Sequence, residues 1–469
     1  MTMSRMASVS QCVVFVTIWL CASPAVVESF IVAPVTRRQL SPSIVRTTKL
    51  LKKEFGLVPP LRSGTWSLSL SSSSPDDTPQ LITRRDTLKT ASIALSTTLA
   101  PLTIANGGAS ATETTTTITT PPTTTNPAAQ SITIPKVTIG KSNLEISRTI
   151  QGYWQLAGGH GKYNPSEAVK NMRAHYDAGM TTLDTADIYG PSESIVGEFV
   201  GGEGAAVPCT KFCCYRFLDE IDRKEVRRRI LTSCERLKVD KLPLVQYFWS
   251  NYDIKKYVDV GLMLTELKEE GLIREIGATN FDLPRLKELI TAGVPIASHQ
   301  VQLSALDRRP VQSGMAQWCA AENVKLIAFG TVGGGILSER YLNKPSPPSK
   351  EETNTASLRL YAKTAERFGS WDLVSKELLG TLDAVAREVR GSGRCDGVGI
   401  ANVAQRYVLG DEGVAAILVG VRNRSHVEEN VRTHGFELTQ AEREAIDAVV
   451  NKRNGPKGDV WDIERGVTV

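Results

Sequence analysis

Asp184 and Tyr189 stand in the run Thr182-Leu-Asp-Thr-Ala-Asp-Ile-Tyr-Gly190, and Lys211 follows in Pro208-Cys-Thr-Lys-Phe212. The trio puts a carboxylate, a phenol and an ammonium at the ends of two successive apolar runs. Proton donation to a carbonyl needs such a set. Tyrosine is a poor acid at neutral pH, with an unperturbed pKa of about 10. A neighbouring lysine cation is expected to stabilise the phenolate and lower that value, while an aspartate holds the lysine in place. An Asp-x4-Tyr spacing is common by itself, so its meaning depends on the elements that carry it.

Those elements alternate. A hairpin is expected over Ile132–Ile146. Eight strand candidates follow: Arg148–Tyr153, Thr181–Thr185, Val207–Phe212, Leu244–Trp249, Glu275–Thr279, Ile296–Gln302, Lys325–Ala328 and Ala415–Val419. Helical patterns lie between them at Ser166–Ala178, Arg223–Leu237 (with Asp222 as N-cap), Val258–Glu270, Leu283–Ala292, Val311–Glu322, within Ala356–Arg390, and at Ser425–Thr433. An extra helix is expected at Gln440–Lys452. Strand–helix alternation with eight strands predicts an α/β fold, a (β/α)8 TIM barrel with an N-terminal β-hairpin and an extra C-terminal helix. A doubly wound sheet would want Gly-x-Gly-x-x-Gly after the first strand, and none is there. The glycine-rich Gly330-Thr-Val-Gly-Gly-Gly335 follows the seventh strand instead, where barrels often cradle phosphate. Active sites of such barrels lie at the C-terminal ends of the strands. Asp184 closes the second strand, Tyr189 follows on its loop and Lys211 ends the third, so independent strands deliver the trio to one rim.

The chain has 469 residues. Residues 1–29 read as a signal peptide, with the apolar run Cys12–Ala22 too short to span a bilayer. Ser29-Phe30 resembles the cleavage-site signal of algae whose plastids lie inside extra membranes. Residues 30–80, rich in Ser, Thr, Arg and Lys, have transit-peptide composition. Residues 81–111, with Arg84-Arg85 and Ala109-Ser-Ala111, look like a twin-arginine thylakoid signal. Together they predict a plastid destination, with the thylakoid lumen or the stroma as the compartment. The Thr/Pro-rich stretch 112–131 reads as a disordered linker. Residues 132–455 form the barrel domain and 456–469 a C-terminal tail. A 41% apolar and 22% charged composition is ordinary for a globular chain. The formal charge of +5 owes part to the basic leader, and no nucleic-acid motif accompanies it. The mature region has no apolar stretch long enough for a transmembrane span. Eight cysteines show no metal-type C-x2-C pair, no His/Glu spacing suggests a metal site, and His175 reads as structural. The vicinal Cys213-Cys214 pair reads as a strand end, with redox sensing as the alternative.

From Thr149 to about Val450 the chain resembles the aldo-keto reductase family. The resemblance is carried by Gly152-Tyr-Trp154, the Asp-Thr-Ala-Asp-Ile-Tyr-Gly run, Thr210-Lys-Phe212, Leu244-Val-Gln246, Ile276-Gly-Ala-Thr-Asn-Phe281, Gln300-Val-Gln302, Leu306-Asp-Arg-Arg309, the 330–335 loop, and Gly420-Val-Arg-Asn423 through Glu429-Asn430. It implies a small-molecule carbonyl substrate, NADPH as cofactor and a catalytic Asp-Tyr-Lys-His tetrad, of which Asp184, Tyr189 and Lys211 carry over. In Gln246-Tyr-Phe-Trp249, Phe248 fills the histidine slot. Phenylalanine donates no hydrogen bond, and losing one such donor typically costs about 2.7–4 kcal/mol of transition-state stabilisation. The resemblance places Trp154, Phe248 and Trp249 in the substrate pocket and Gly152 and Tyr153 near the nicotinamide ribose. It assigns Thr279, Asn280 and Gln300 to the carboxamide, Phe329 to stacking on the nicotinamide, and Gly330, Val332 and Gly334 to the pyrophosphate. Arg422 and Asn423 would meet the 2′-phosphate, and Glu429 and Asn430 the adenine. Two readings follow: an NADPH-dependent carbonyl reductase, or an NADPH-binding regulatory protein with weak turnover.

Overall fold

The computed structural model describes residues 132–202 and 204–467. The expectations for residues 1–131 lie outside the described residues. Strands β1 (Lys136–Ile139) and β2 (Leu144–Ser147) form an antiparallel hairpin. Eight parallel strands then close a barrel: β3 (Thr149–Gly152), β4 (Thr182–Asp184), β5 (Val207–Cys214), β6 (Leu242–Trp249), β7 (Ile273–Thr279), β8 (Ile296–Gln302), β9 (Lys325–Phe329) and β10 (Val414–Gly420). β10 pairs with β3 to complete the ring, as the strand pattern predicts.

The barrel interior is layered. The hairpin plugs its N-terminal end: Ile139, Leu144 and Ile146 pack with Ile150, Cys209, Leu244, Ile327 and Ala416. Gly140, at φ +68°, makes the tight turn, and a Cβ there would collide with the Glu275 carboxyl group at 2.3 Å. Above this plug the interior turns polar. A larger apolar layer fills the space between sheet and helices.

The helices at Pro165–Asp177, Arg223–Leu237, Tyr257–Glu269, Leu283–Thr291 and Gln440–Val450 match the expected segments to within a residue or two. Asp222 caps the second of them, accepting from the Glu225 amide at 2.8 Å. Two helices escaped the sequence reading, Ser192–Val200 and Ile400–Leu409. Both are buried on nearly every side. Two expected helices are broken. Val311–Glu322 divides at Gly314 (φ +76°), and Ala356–Arg390 divides into Ala356–Phe368 and Leu379–Gly391 with a π-turn, Leu373–Leu378, before the second piece.

The expected tail is structural. Residues after Gly455 return to the C-terminal rim of the barrel and end in a short helix, Asp462–Arg465. Asp459 accepts from the Leu283 amide at 2.9 Å, and Glu464 forms a forked ion pair with buried Arg309 at 2.9 and 3.0 Å. Arg465 donates to the carbonyls of Trp249 and Asn280 at 2.9 and 2.7 Å. No helix among the described residues is long and apolar enough to cross a membrane.

Candidate active site

Side chains alternate along a strand, so every second residue of β4 to β8 enters the barrel. Register then decides which of them meet. Lys211 lies opposite Gln246, Gln246 opposite Gly277, and Thr279 opposite Gln300. Asp184, 3% exposed, collects their polar ends. One carboxylate oxygen pairs with the Lys211 ammonium; the other accepts from Gln246 at 2.7 Å and Gln300 at 2.8 Å. Gln300 also donates to Gln246 at 2.8 Å, and Lys211 to the Thr185 carbonyl at 2.9 Å. A buried charge is tolerable only when paired and hydrogen-bonded, and this one is both. Gln246 was part of a matching motif, yet nothing in its spacing marked it as a third anchor of the carboxylate.

Tyr189 stands beside this network, its ring centroid 5.3 Å from Lys211 Nζ. It packs against a small apolar cluster of Ala186, Cys213 and Phe248. The expected lowering of its pKa is not what this environment produces. Burial pushes the phenol well above 10, and the charges of Asp184 and Asp187 add to that. Tyr189 therefore holds its proton firmly at neutral pH.

Two assignments are corrected by strand parity. Trp249 is fully buried on the outer face of β6, its indole nitrogen donating to Asn251 O at 2.8 Å and Ile254 O at 3.1 Å. Tyr153 is likewise in the layer between sheet and helices, bonded to Gln151. Only their neighbours Phe248 and Gly152 face the interior side. Trp154 is 36% exposed in a 3-10 turn and pairs with His160 at 5.0 Å. The cysteine pair divides in the same way. Cys213 belongs to the cluster beside Tyr189, Cys214 to the outer core, so the two thiols point to opposite faces. Burial raises both, Cys214 to about 12, which leaves them protonated and poorly reactive. His175 is buried and bonds Asn171 O at 2.8 Å.

The expected cofactor residues trace an arc along the rim from β7 to β10. Thr279 donates to Gln300 O at 3.0 Å. Asn280, at φ +57°, keeps a buried Oδ1 without a partner among the described residues. Phe329, half-buried, forms a T-shaped pair with Trp461 of the returning C-terminal segment, centroids 6.2 Å apart. The loop after β9 winds tightly through Gly330 (φ +75°), Val332 and Gly334 (φ +61°). A Cβ on Gly330 would strike the Tyr361 hydroxyl at 2.5 Å, so only glycine serves there. The start of helix Ala356–Phe368 bridges to the loop after β3: Ala356 N donates to Gly159 O at 2.8 Å, and His160 bonds Ser357 Oγ at 2.7 Å.

At the far end Arg422 is exposed and makes no ion pair among the described residues. Burial depresses the His160 pKa, and the cations of Arg422 and Arg359 add to this. Arg359, in the helix Ala356–Phe368, was not foreseen. Asn423 caps the Arg424–His426 turn through its side-chain oxygen. Glu429 pairs with His426, and Asn430 accepts from Gln405 at 3.3 Å, which leaves these two polar ends engaged within the protein.

A closed eight-stranded parallel barrel with Asp184, Lys211 and Tyr189 gathered on one side of its interior has the TIM-barrel architecture. The profile of the aldo/keto reductase family matches residues 149–451, and the chain belongs to that family. Its members are oxidoreductases acting on aldehydes and ketones. Pyridoxal reductase, chloroplastic, from Arabidopsis thaliana is 24% identical over 351 residues, spanning 70% of this chain and 88% of that protein. The L-glyceraldehyde 3-phosphate reductase of Escherichia coli O157:H7 is 23% identical over 334 residues, 66% of this chain and 92% of that one. Among solved structures, the glycerol dehydrogenase of Gluconobacter oxydans aligns with a TM-score of 0.56 at 21% identity, over 70% of this chain and 98% of its own. That likeness concerns the fold.

Proposed function

We propose that this protein reduces an aldehyde or ketone with NADPH, Tyr189 acting as the general acid. The observation that carries the reading is the closed Asp184–Lys211–Gln246–Gln300 network beside a phenol kept protonated by burial. Tyr189 gives its proton to the carbonyl oxygen as the carbonyl carbon is reduced, and the Lys211 cation stabilises the phenolate left behind. Asp184 fixes Lys211, and the two glutamines fix Asp184. The bound nicotinamide would supply the hydride. The residues fit that group. Asn280 Oδ1 is a buried acceptor suited to a carboxamide NH2, with Thr279 and Gln300 beside it. Phe329 offers a ring for stacking, Gly330, Val332 and Gly334 a close backbone approach, and Arg422 an unpaired guanidinium for a 2′-phosphate.

Tryptophan-fluorescence titration and an aldehyde screen on the full-length protein test this. NADPH should bind more tightly than NADH, and Arg422→Ala should remove most of that preference. Tyr189→Phe should lower kcat about 10²- to 10⁴-fold without weakening NADPH binding. Equal affinity for the two nucleotides would refute the Arg422 role, and a fully active Tyr189→Phe variant would refute the mechanism.

Phe248 favours a second reading, a cofactor-binding regulatory protein. NADPH binding with no aldehyde reduced by the wild-type chain would select it. We place either activity in a plastid, on the strength of the 1–111 leader, which the chloroplastic name of the Arabidopsis relative supports. Protease protection of fractionated plastids, with Arg84→Lys/Arg85→Lys as control, separates lumen from stroma.

A further inference from the structure

Phe248 leaves the carbonyl oxygen one hydrogen-bond donor short, and the last described turn of the chain brings a donor to the same place. Arg465 Cζ lies 5.6 Å from the Phe248 ring centroid and 4.3 Å from that of Tyr252. Phe248 in turn packs against Tyr189, the proposed acid. The guanidinium is held through one nitrogen only: Nη2 donates to Trp249 O and Asn280 O, at the ends of β6 and β7. Its Nε and Nη1 are buried and meet no acceptor among the described residues. Glu464 is committed to Arg309, and the Asp282 and Asp462 carboxylates act on Arg465 electrostatically without accepting from its Nε or Nη1. A buried cation with unmet donors is costly unless something negative comes to it. In carbonyl reduction the negative charge develops on the oxygen, and a preorganised donor there is worth most in the transition state.

We infer that Arg465, from the C-terminal segment, donates to the substrate's carbonyl oxygen in place of the family's histidine. This rests on the carbonyl-reductase reading above. The hydride adds to the carbonyl carbon and the Tyr189 proton to the oxygen; Arg465 keeps all its protons and only stabilises the charge between those events. Arginine suits the task because it stays ionised even when buried.

The test uses the full-length protein with a neutral aldehyde, 4-nitrobenzaldehyde, and an anionic one, succinic semialdehyde. Arg465→Gln is expected to lower kcat about 10²- to 10³-fold on both, with NADPH affinity unchanged. Arg465→Lys should recover part of the rate. Adding Phe248→His to Arg465→Gln should recover more, because it returns a donor from the other side. A loss confined to KM for the anionic substrate would overturn the inference and make Arg465 a carboxylate anchor. So would a rate loss that neither Arg465→Lys nor the added histidine relieves, or one that tracks a lost fold or lost NADPH binding, since a mere tether behaves that way. If Arg465→Gln reduces both aldehydes at the wild-type rate, this inference alone fails. If the wild-type protein binds NADPH but reduces neither aldehyde nor any other carbonyl in the screen, the reductase reading fails and takes this inference with it.

Discussion

Asp184 and Arg465 are both charged groups withdrawn from water at the same barrel rim, yet their surroundings differ. Asp184 accepts from Lys211, Gln246 and Gln300, while Arg465 spends one nitrogen on two carbonyls and leaves two others unmet. The first group sits on short, rigid strands inside a closed ring; the second sits on a returning segment held by a few side-chain anchors. A network completed within the protein stores its geometry before any ligand arrives. An incomplete one keeps bonding capacity for the ligand. The comparison therefore separates preorganisation from recognition, and it can be broken at either side.

Breaking the closed network should have the largest effect on stability. Asp184→Ala strips Lys211 of its partner and leaves a buried uncompensated charge, which costs about 3–5 kcal/mol. Urea denaturation of the variant should show that loss. A change under 1 kcal/mol would mean the pair is not buried as described.

Acidification probes the wall between the two regions. His299, on the outer face of β8, accepts from the Phe281 amide at 3.1 Å; its pKa falls to about 3 through burial and the nearby Arg465 charge. His434 bonds Thr149 at 2.7 Å and falls to about 4 through burial, then Arg406 and Arg148. Both pKa values are lower in the folded protein than in the unfolded chain, where histidine titrates near 6.5. The unfolded chain thus takes up protons first. Stability should be fully present above about pH 6.5 and decline below it by about 1.4 kcal/mol per pH unit for each histidine. His434→Gln should make that slope shallower, and an unchanged slope would count against the assignment.

Glu464→Ala should have the smallest effect, about 1 kcal/mol, because Arg309 keeps Asp307 at 2.7 Å as its other partner. The sharper readout is limited proteolysis. Cleavage within 456–467 should rise while the barrel's Tm hardly moves. If the segment resists protease as before, Glu464 is not one of its anchors.

Much of this was legible in the sequence because local patterns repeat the fold's own period. Each barrel strand is a short apolar run bounded by turn residues, and Asp222, Gly314 and the glycine loop are local signals for caps and turns. The meeting of Asp184 and Lys211 was legible because adjacent parallel strands of a barrel point their inner residues into one interior, although β5 runs on past Lys211 to Cys214. Trp249 and Tyr153 were misassigned because a motif marks a position but not a face, and one step along a strand turns a side chain outward. The Tyr189 pKa went the other way because a spacing shows which charges are near and not how much water is excluded.

The sequence alone determined the number and order of strands and the hairpin, since these depend on composition, period and spacing. Only the tertiary structure decided that Gln246 and Gln300 complete the Asp184 cage and that Arg465 lies against Phe248. These depend on the barrel's register and on contacts between residues as far apart in sequence as Phe248 and Arg465. No local pattern in the chain encodes such a meeting; chain closure around a common core brings it about.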